Sequence, residues 1–171
     1  MSTDTRNIKS NSLFFALKGA NFNGNKFAKM AISSGAKYAI VDDPSLKLSN
    51  KHILVPNVLS CLQKLAAHHR KQLNVPIIGI TSTNGKTTTK EITQAVLSQK
   101  YLCYATKGNL NNHIGVPLSV LEITERHELA IIEMGANHIG EIAELCEISQ
   151  PSIGLITNIG KAHLEGFGSF E

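Results

Sequence analysis

A chain of 171 residues, 42% hydrophobic and 18% charged, has room for one domain or two small ones and the composition of a soluble globular protein. It contains no run of eighteen apolar residues to cross a membrane, and its polar start "MSTDTRNIKS" carries no secretory signal. The net charge of +4 suits an anionic small molecule but, with scattered lysines and few aromatics, does not point to nucleic acid.

The first seventy residues alternate short elements. "SLFFALK" (12–18) predicts a strand, and "GANFNGNK" after it a glycine- and asparagine-rich turn. Phe27, Met30 and Ala31 at helical spacing predict a helix over 27–36, stopped by Gly35. "KYAIVDD" and "HILVP" read as two further strands. Residues 57–73 read as an amphipathic helix: Asn57 stands at the N-cap, and Val58, Leu59, Leu62, Leu65 and Ala66 form one face. His68, His69 and Arg70 fall late in it, where cations complement the helix dipole, and a structural role is expected. Cys61, Cys103 and Cys146 are odd in number and far apart, so reduced thiols in a cytoplasmic protein are expected rather than a disulfide or metal site.

A second pattern opens near residue 75. "VPIIGIT" is continuously apolar, as a strand buried on both faces of a parallel sheet would be. A helix over "KTTTKEITQAVLSQK" and a strand over "YLCYAT" follow. After a polar loop come a strand over "LAIIEMG", a helix over "HIGEIAELCEI" and a strand over "SIGLITNI". The alternation predicts an α/β fold: a small N-terminal α/β domain over 1–74, then an open, mostly parallel sheet over 75–171, which the loop at 81–91 and the resemblance given below make part of a P-loop ATPase domain. Abrupt ends at "STDTR" and "EGFGSFE" lead to the expectation of a piece of a longer polypeptide.

The segment "TSTNGKTTTKE" (81–91) joins the central strand to its helix. That order aims helix-start N–H groups and the helix dipole at the turn, where a phosphate would sit. Gly85 permits close backbone approach, Lys86 supplies a charge for the β- and γ-phosphates, and the Thr87 hydroxyl is placed as a magnesium ligand. Three threonines at a helix head are poor for propensity, so hydroxyls wanted for phosphate or metal explain them better than packing. The spelling departs from the Walker A pattern, because Ile80 stands where that pattern has its first glycine.

A narrower pattern accounts for the departure. "TSTNGKT" resembles the T-G-T-N-G-K-T loop of the Mur ligase family in six of seven positions, with Ser82 replacing the first glycine; a position of positive φ would strain a serine. "ATKGNLNNHIGVPLSVL", "IIEMGANHIGEIAELCEI", "ITNIGKAHLEGFGS" and the start "STDTR…SLFFALKGANFNGNKFA" are similar to segments of one branch of that family. That branch joins D-alanyl-D-alanine to UDP-N-acetylmuramoyl-tripeptide in peptidoglycan synthesis. The likeness covers nearly the whole chain.

The resemblance implies ATP and Mg²⁺, with Thr81, Ser82, Thr83, Asn84, Gly85, Lys86, Thr87 and Thr88 at the nucleotide. Lys86, Glu133 and His163 carry the chemistry, with Thr87, Glu133 and His163 at magnesium. Thr5, Arg6 and Asn21 would meet the uridine nucleotide, while Asn109, Asn111 and Asn112 form a polar loop for substrate. The implied reaction passes the γ-phosphoryl of ATP to the tripeptide carboxylate, and the amine of D-alanyl-D-alanine attacks the acyl phosphate. A carbamylated lysine and a C-terminal domain of the family lie beyond Glu171, so this chain alone is expected to be inactive, and the parent protein to be a cytoplasmic monomer. Other readings are a ligase adding the third amino acid, a folylpolyglutamate synthase, a non-catalytic nucleotide-binding module and a generic P-loop switch. "STDTR" argues against the folate enzyme, "GNLNNHIGVPLS" against the third-residue ligase, and the short glycine spacing against the switch.

Overall fold

The computed structural model describes residues 1–46, 49–161 and 164–168. It is a mixed α/β chain that divides into two compact units, Met1–Leu62 and Gln63–Glu171.

The first unit contains β1 (Leu13–Phe15), a hairpin of β2 (Lys18–Gly19) and β3 (Phe22–Asn23), α1 (Ala28–Ser33), β4 (Tyr38–Val41), β5 (His52–Leu54) and the start of α2 (Val58–Gln72). The predicted strand 12–18 thus breaks in two. Its apolar half pairs in parallel with β4, which pairs in parallel with β5, giving the order β1-β4-β5. Phe14, Ala16, Ala28, Ala31, Ala39 and Val41 pack as one small core between α1 and the sheet. The Asn57 side chain accepts from the Ser60 N–H at 2.7 Å, the cap its position predicts.

A polar clamp ties this unit together. Asp42, at the end of β4, accepts from Lys18 Nζ (2.8 Å), Asn25 Nδ2 (2.8 Å) and the Val58 N–H (3.2 Å). The Asn25 carbonyl oxygen in turn accepts from the Asp42 N–H at 3.1 Å. Burial alone would push the Asp42 carboxyl up, but Lys18, Asn25 and Val58 together hold it below the ordinary carboxylate value.

The second unit continues with β6 (Ile77–Thr81), α3 (Lys86–Leu97), β7 (Cys103–Ala105), α4 (Gly115–Glu122), β8 (Leu129–Glu133), α5 (Glu141–Ser149) and β9 (Ile153–Ile156). Its four strands are all parallel in the order β7-β8-β6-β9, so the P-loop strand lies inside the sheet. Ile77, Val116, Val120, Ile123, Ala130, Ile132 and Leu145 fill one face. Ile80, Ala105 and Ile131, with Ile78 and Leu97 against them, fill the other. Each isoleucine buried here contributes about 1.5–3 kcal/mol. Strand β9 is exposed along its length.

Helix α4 falls where the sequence predicts only a polar loop. Pro117 sits in its first turn, where a missing N–H costs nothing, and the Asn112 side chain accepts from the Ile114 and Gly115 N–H groups. A Cβ at Gly115 would collide with the Leu110 backbone, so that turn closes only on glycine. Arg70 is buried and donates to the carbonyls of Leu73, Ser149 and Gln150; its role is structural, as expected, but two of the three bonds close the C-terminal end of α5 rather than of its own helix. The three cysteines form no disulfide.

Asp42→Ala removes an acceptor shared by Lys18, Asn25 and the Val58 N–H and is expected to destabilise the first unit by about 1–3 kcal/mol in urea unfolding. Because the Asp42 carboxyl is depressed in the fold, its contribution is complete above the ordinary carboxylate range and is lost as pH falls through the folded value. The wild type should therefore lose stability in acid more steeply than Asp42→Ala; parallel pH curves would contradict this.

Candidate active site

The β6–β8 pairing builds the site. Ile80 stands opposite Glu133 in the register, and the Met134 N–H donates to Ile80 O at 2.8 Å. Glu133 therefore ends its strand beside the turn that follows Thr81, at the carboxyl edge of the sheet where open α/β folds bind ligands.

The turn runs Ser82–Thr83–Asn84–Gly85 into α3. Gly85 has φ +80°, a conformation that costs other residues about 1–2 kcal/mol. Among the described non-glycine residues only Asn11 and Gln150 have positive φ, so Ser82 is not strained. Its hydroxyl instead donates to Asn84 O at 2.7 Å and closes the turn from within. Lys86 folds over the turn, donating to Ser82 O (2.6 Å) and Thr83 O (3.3 Å). The first-turn N–H groups of α3 have no intrahelical partner, as in any helix, and no N-cap side chain takes their place. Thr87 and Thr88 are exposed at its head.

The turn is held from the end of β9. Asn158 accepts the Asn84 N–H on its side-chain oxygen (3.1 Å), donates from Nδ2 to Asn84 O (2.8 Å), and through its own carbonyl accepts the Thr83 N–H (3.2 Å). The Gly160 N–H donates to the Thr83 hydroxyl at 2.8 Å. Asn158 was not singled out from the sequence; the signal available was an asparagine just past a strand in "ITNIG".

Glu133 is 1% exposed. Its Oε1 accepts from Asn111 Nδ2 at 2.8 Å, and its N–H donates to the Thr106 hydroxyl at 3.0 Å. Its Oε2 is buried and has no partner among the described residues. A lone carboxylate oxygen in such a place is costly unless something binds it. The oxygen-only donor set of Glu133 and the free Thr87 hydroxyl has the chemistry of a magnesium site, where phosphates and water complete the shell.

The polar loop divides by task. Asn111 holds Glu133, and its carbonyl takes the Gly135 N–H at 2.7 Å. Asn112 caps the start of α4, and Asn109 is exposed. His163 lies outside the described residues.

A separate pocket of about 610 Å³ lies within the first unit, lined by Thr5, Arg6, Phe14, Phe22 and Phe27 among others. The Phe22 and Phe27 rings stack with centroids 5.4 Å apart. Arg6 is forked onto Asp4, with the shortest contact at 2.6 Å, and this holds the Asp4 carboxyl down at about 2. Asn21 is at the hairpin tip and does not line the pocket.

Comparison with known proteins finds likeness along nearly the whole chain. A family model described as "Mur ligase family, catalytic domain" matches residues 1–78, and one described as "Mur ligase middle domain" matches 80–171. The UDP-N-acetylmuramoyl-tripeptide–D-alanyl-D-alanine ligase of Synechocystis sp. is 44% identical over 98% of this chain and 37% of its own length. A crystal structure of MurF from Acinetobacter baumannii superposes with a TM-score of 0.92 at 39% identity, covering 99% of this chain and 37% of that one. MurF from Thermotoga maritima, solved in complex with ADP, gives 0.89 at 34% identity over 99% and 39%. The chain thus spans a little over a third of the length of the relatives it matches.

Asn158→Ala removes the acceptor of the Asn84 N–H and should raise its amide exchange rate about tenfold, the worth of one hydrogen bond. An unchanged rate would mean that β9 does not hold the turn.

Proposed function

The chain belongs to the Mur ligase family, and from that premise we propose that it forms the nucleotide-binding part of a ligase adding D-alanyl-D-alanine to UDP-N-acetylmuramoyl-tripeptide. In this reading residues 1–74 hold the UDP-sugar and 75–171 hold ATP, and the whole acts in the cytoplasm as a monomer. Among the described residues no helix is long and apolar enough to cross a membrane.

One observation carries the reading in this chain: a buried, half-unpaired carboxylate at the strand end beside an uncapped P-loop helix. In the first unit, the pocket beside Thr5 and Arg6 has the aromatic floor and polar rim that a uridine nucleotide needs. The names of the Synechocystis sp., Bacillus subtilis and Escherichia coli relatives, each a ligase of this substrate pair, support the substrate assignment.

The reaction has to bring an anionic carboxylate to an anionic phosphate. The carboxylate oxygen attacks the γ-phosphorus, the bond to the β-phosphate oxygen breaks, and ADP leaves. The amine then attacks the acyl carbon, phosphate departs and the amine gives up a proton. Lys86 offers its charge to the phosphates in exchange for two neutral carbonyls, and the first-turn N–H groups of α3 point at the same place. Glu133 and Thr87 would hold magnesium, which when bound neutralises charge on the phosphates, and His163 would join a second such site. Asn109, Asn111 and Asn112 border the substrate side, with Asn111 acting through Glu133.

A thermal-shift panel tests this. UDP-N-acetylmuramoyl-tripeptide and Mg–ADP, each at a hundred times its dissociation constant, should add about 2.7 kcal/mol. That corresponds to roughly 5–11 °C. A folate should add nothing, and Glu133→Gln should reduce the Mg–ADP shift to that of ADP alone. A response to Mg–ADP but to no UDP compound would support a bare nucleotide-binding module instead. The 171 residues alone are expected to bind without releasing phosphate; ligated product from them would contradict that part.

A further inference from the structure

Helix α3 is built the wrong way round for simple packing. Ile92 and Val96 are 60% and 64% exposed, while Lys90 is 1% exposed and faces the protein interior. Burying an ammonium is expensive unless it is fully engaged, so an apolar residue would be the default at this position. Lys90 meets that cost with two contacts. Its Nζ donates to Thr106 O at 2.7 Å and pairs with Glu91 Oε1 at 2.8 Å.

The important partner is Thr106. It follows the last residue of β7, is itself buried, and opens the loop that leads to Asn111. Its carbonyl is held by Lys90, and its hydroxyl accepts the Glu133 N–H. Its own N–H donates to Ile131 O, two residues before Glu133 on β8. Two hydrogen bonds in series therefore run from α3, through one threonine, to the residue carrying the orphaned carboxylate oxygen. At the other end of the chain of contacts, Lys90 lies one helical turn beyond Lys86 and three residues beyond Thr87 on the same helix. The helix bearing the free Thr87 hydroxyl is thereby fastened to the strand bearing Glu133.

We propose that Lys90 is a positioning residue that fixes the spacing between the Thr87 hydroxyl and the Glu133 carboxylate, and so sets affinity for a divalent cation on the bound phosphates. The inference rests on the nucleotide reading given above. It assigns Lys90 no contact with the nucleotide; the residue works through Thr106. A side chain that only cemented α3 to the sheet would influence stability and all ligands alike. A positioning residue influences the metal-dependent part of binding and leaves metal-free binding alone.

Calorimetric titration of the chain with ADP, with and without Mg²⁺, separates the two. In Lys90→Met the affinity for ADP without metal should stay within about twofold of wild type. The tightening produced by Mg²⁺ should fall by about tenfold or more, the usual effect of removing a residue that orients a metal ligand. Lys90→Arg, which keeps charge and donor, should retain most of the tightening. Should Lys90→Met fail to fold, Thr106→Val removes the hydroxyl that holds the Glu133 N–H with little change of shape, and the same loss is expected. Equal tightening in wild type and in the variant that folds overturns this inference alone. Absence of any Mg²⁺ effect in the wild type overturns the nucleotide reading and this inference with it.

Discussion

The parallel pairing of β6 with β8 is the constraint on which the second unit depends. Its register sets Ile80 against Glu133, so one strand ends in the phosphate-binding turn just where its neighbour ends in a carboxylate. Pairing of β6 with β9 on the other side brings Asn158 against the same turn. A slip of one residue in either pairing would send the side chains to the opposite face and separate these groups. Ile77, Ile80, Ile131 and Ile132 fill both faces, so a slip would exchange one apolar residue for another; what it would cost is the set of hydrogen bonds that hold Glu133 and the turn.

What the pairing creates is a polar cluster under tension rather than a relaxed core. Glu133 has one oxygen satisfied by Asn111 and one, buried from solvent, with no partner among the described residues. Partly satisfied buried polar groups are expensive, and a fold retains one where a ligand completes it. The surrounding residues are arranged to keep the carboxylate in place: Thr106 on its backbone, Asn111 on its side chain, Lys90 behind Thr106. Opposite them, the turn is stiffened by Asn158 and by the Ser82 hydroxyl, while the threonines at the helix head stay exposed. One side of the site is thus rigid and dry, and the other presents open donors.

Much of this was legible in the sequence because the strongest signals are local. Continuous apolar runs marked β6 and β8, alternation of elements marked the parallel sheet, and N-G-K-T at a strand-to-helix junction marked the loop. Glu133 could be placed because it closes an apolar run. Other features resisted a linear reading. Helix α4 was hidden by Pro117, by its short span and by the asparagines before it, whose capping role depends on Gly115 closing against Leu110. Lys90 was hidden because a lysine on a helix is exposed by default, and only the strand packed below shows that this one is not. Asn158 lies 74 residues from the amide it holds, a distance no periodicity can span. Ser82, the one break in the family's loop, proves harmless, because the strain foreseen for it requires a positive φ that the backbone does not adopt there.

In the proposed function, the unpaired oxygen of Glu133 receives the cation that accompanies the nucleotide. The most direct measurement uses Mn²⁺ in place of Mg²⁺: add Mn²⁺–ADP substoichiometrically to the isotope-labelled chain and follow paramagnetic broadening of backbone amide resonances. Thr87, Asn111, Glu133 and Met134 should broaden first and together. Broadening centred on any other carboxylate, such as Asp42 or Glu141, with the Glu133 amide left sharp, would contradict it.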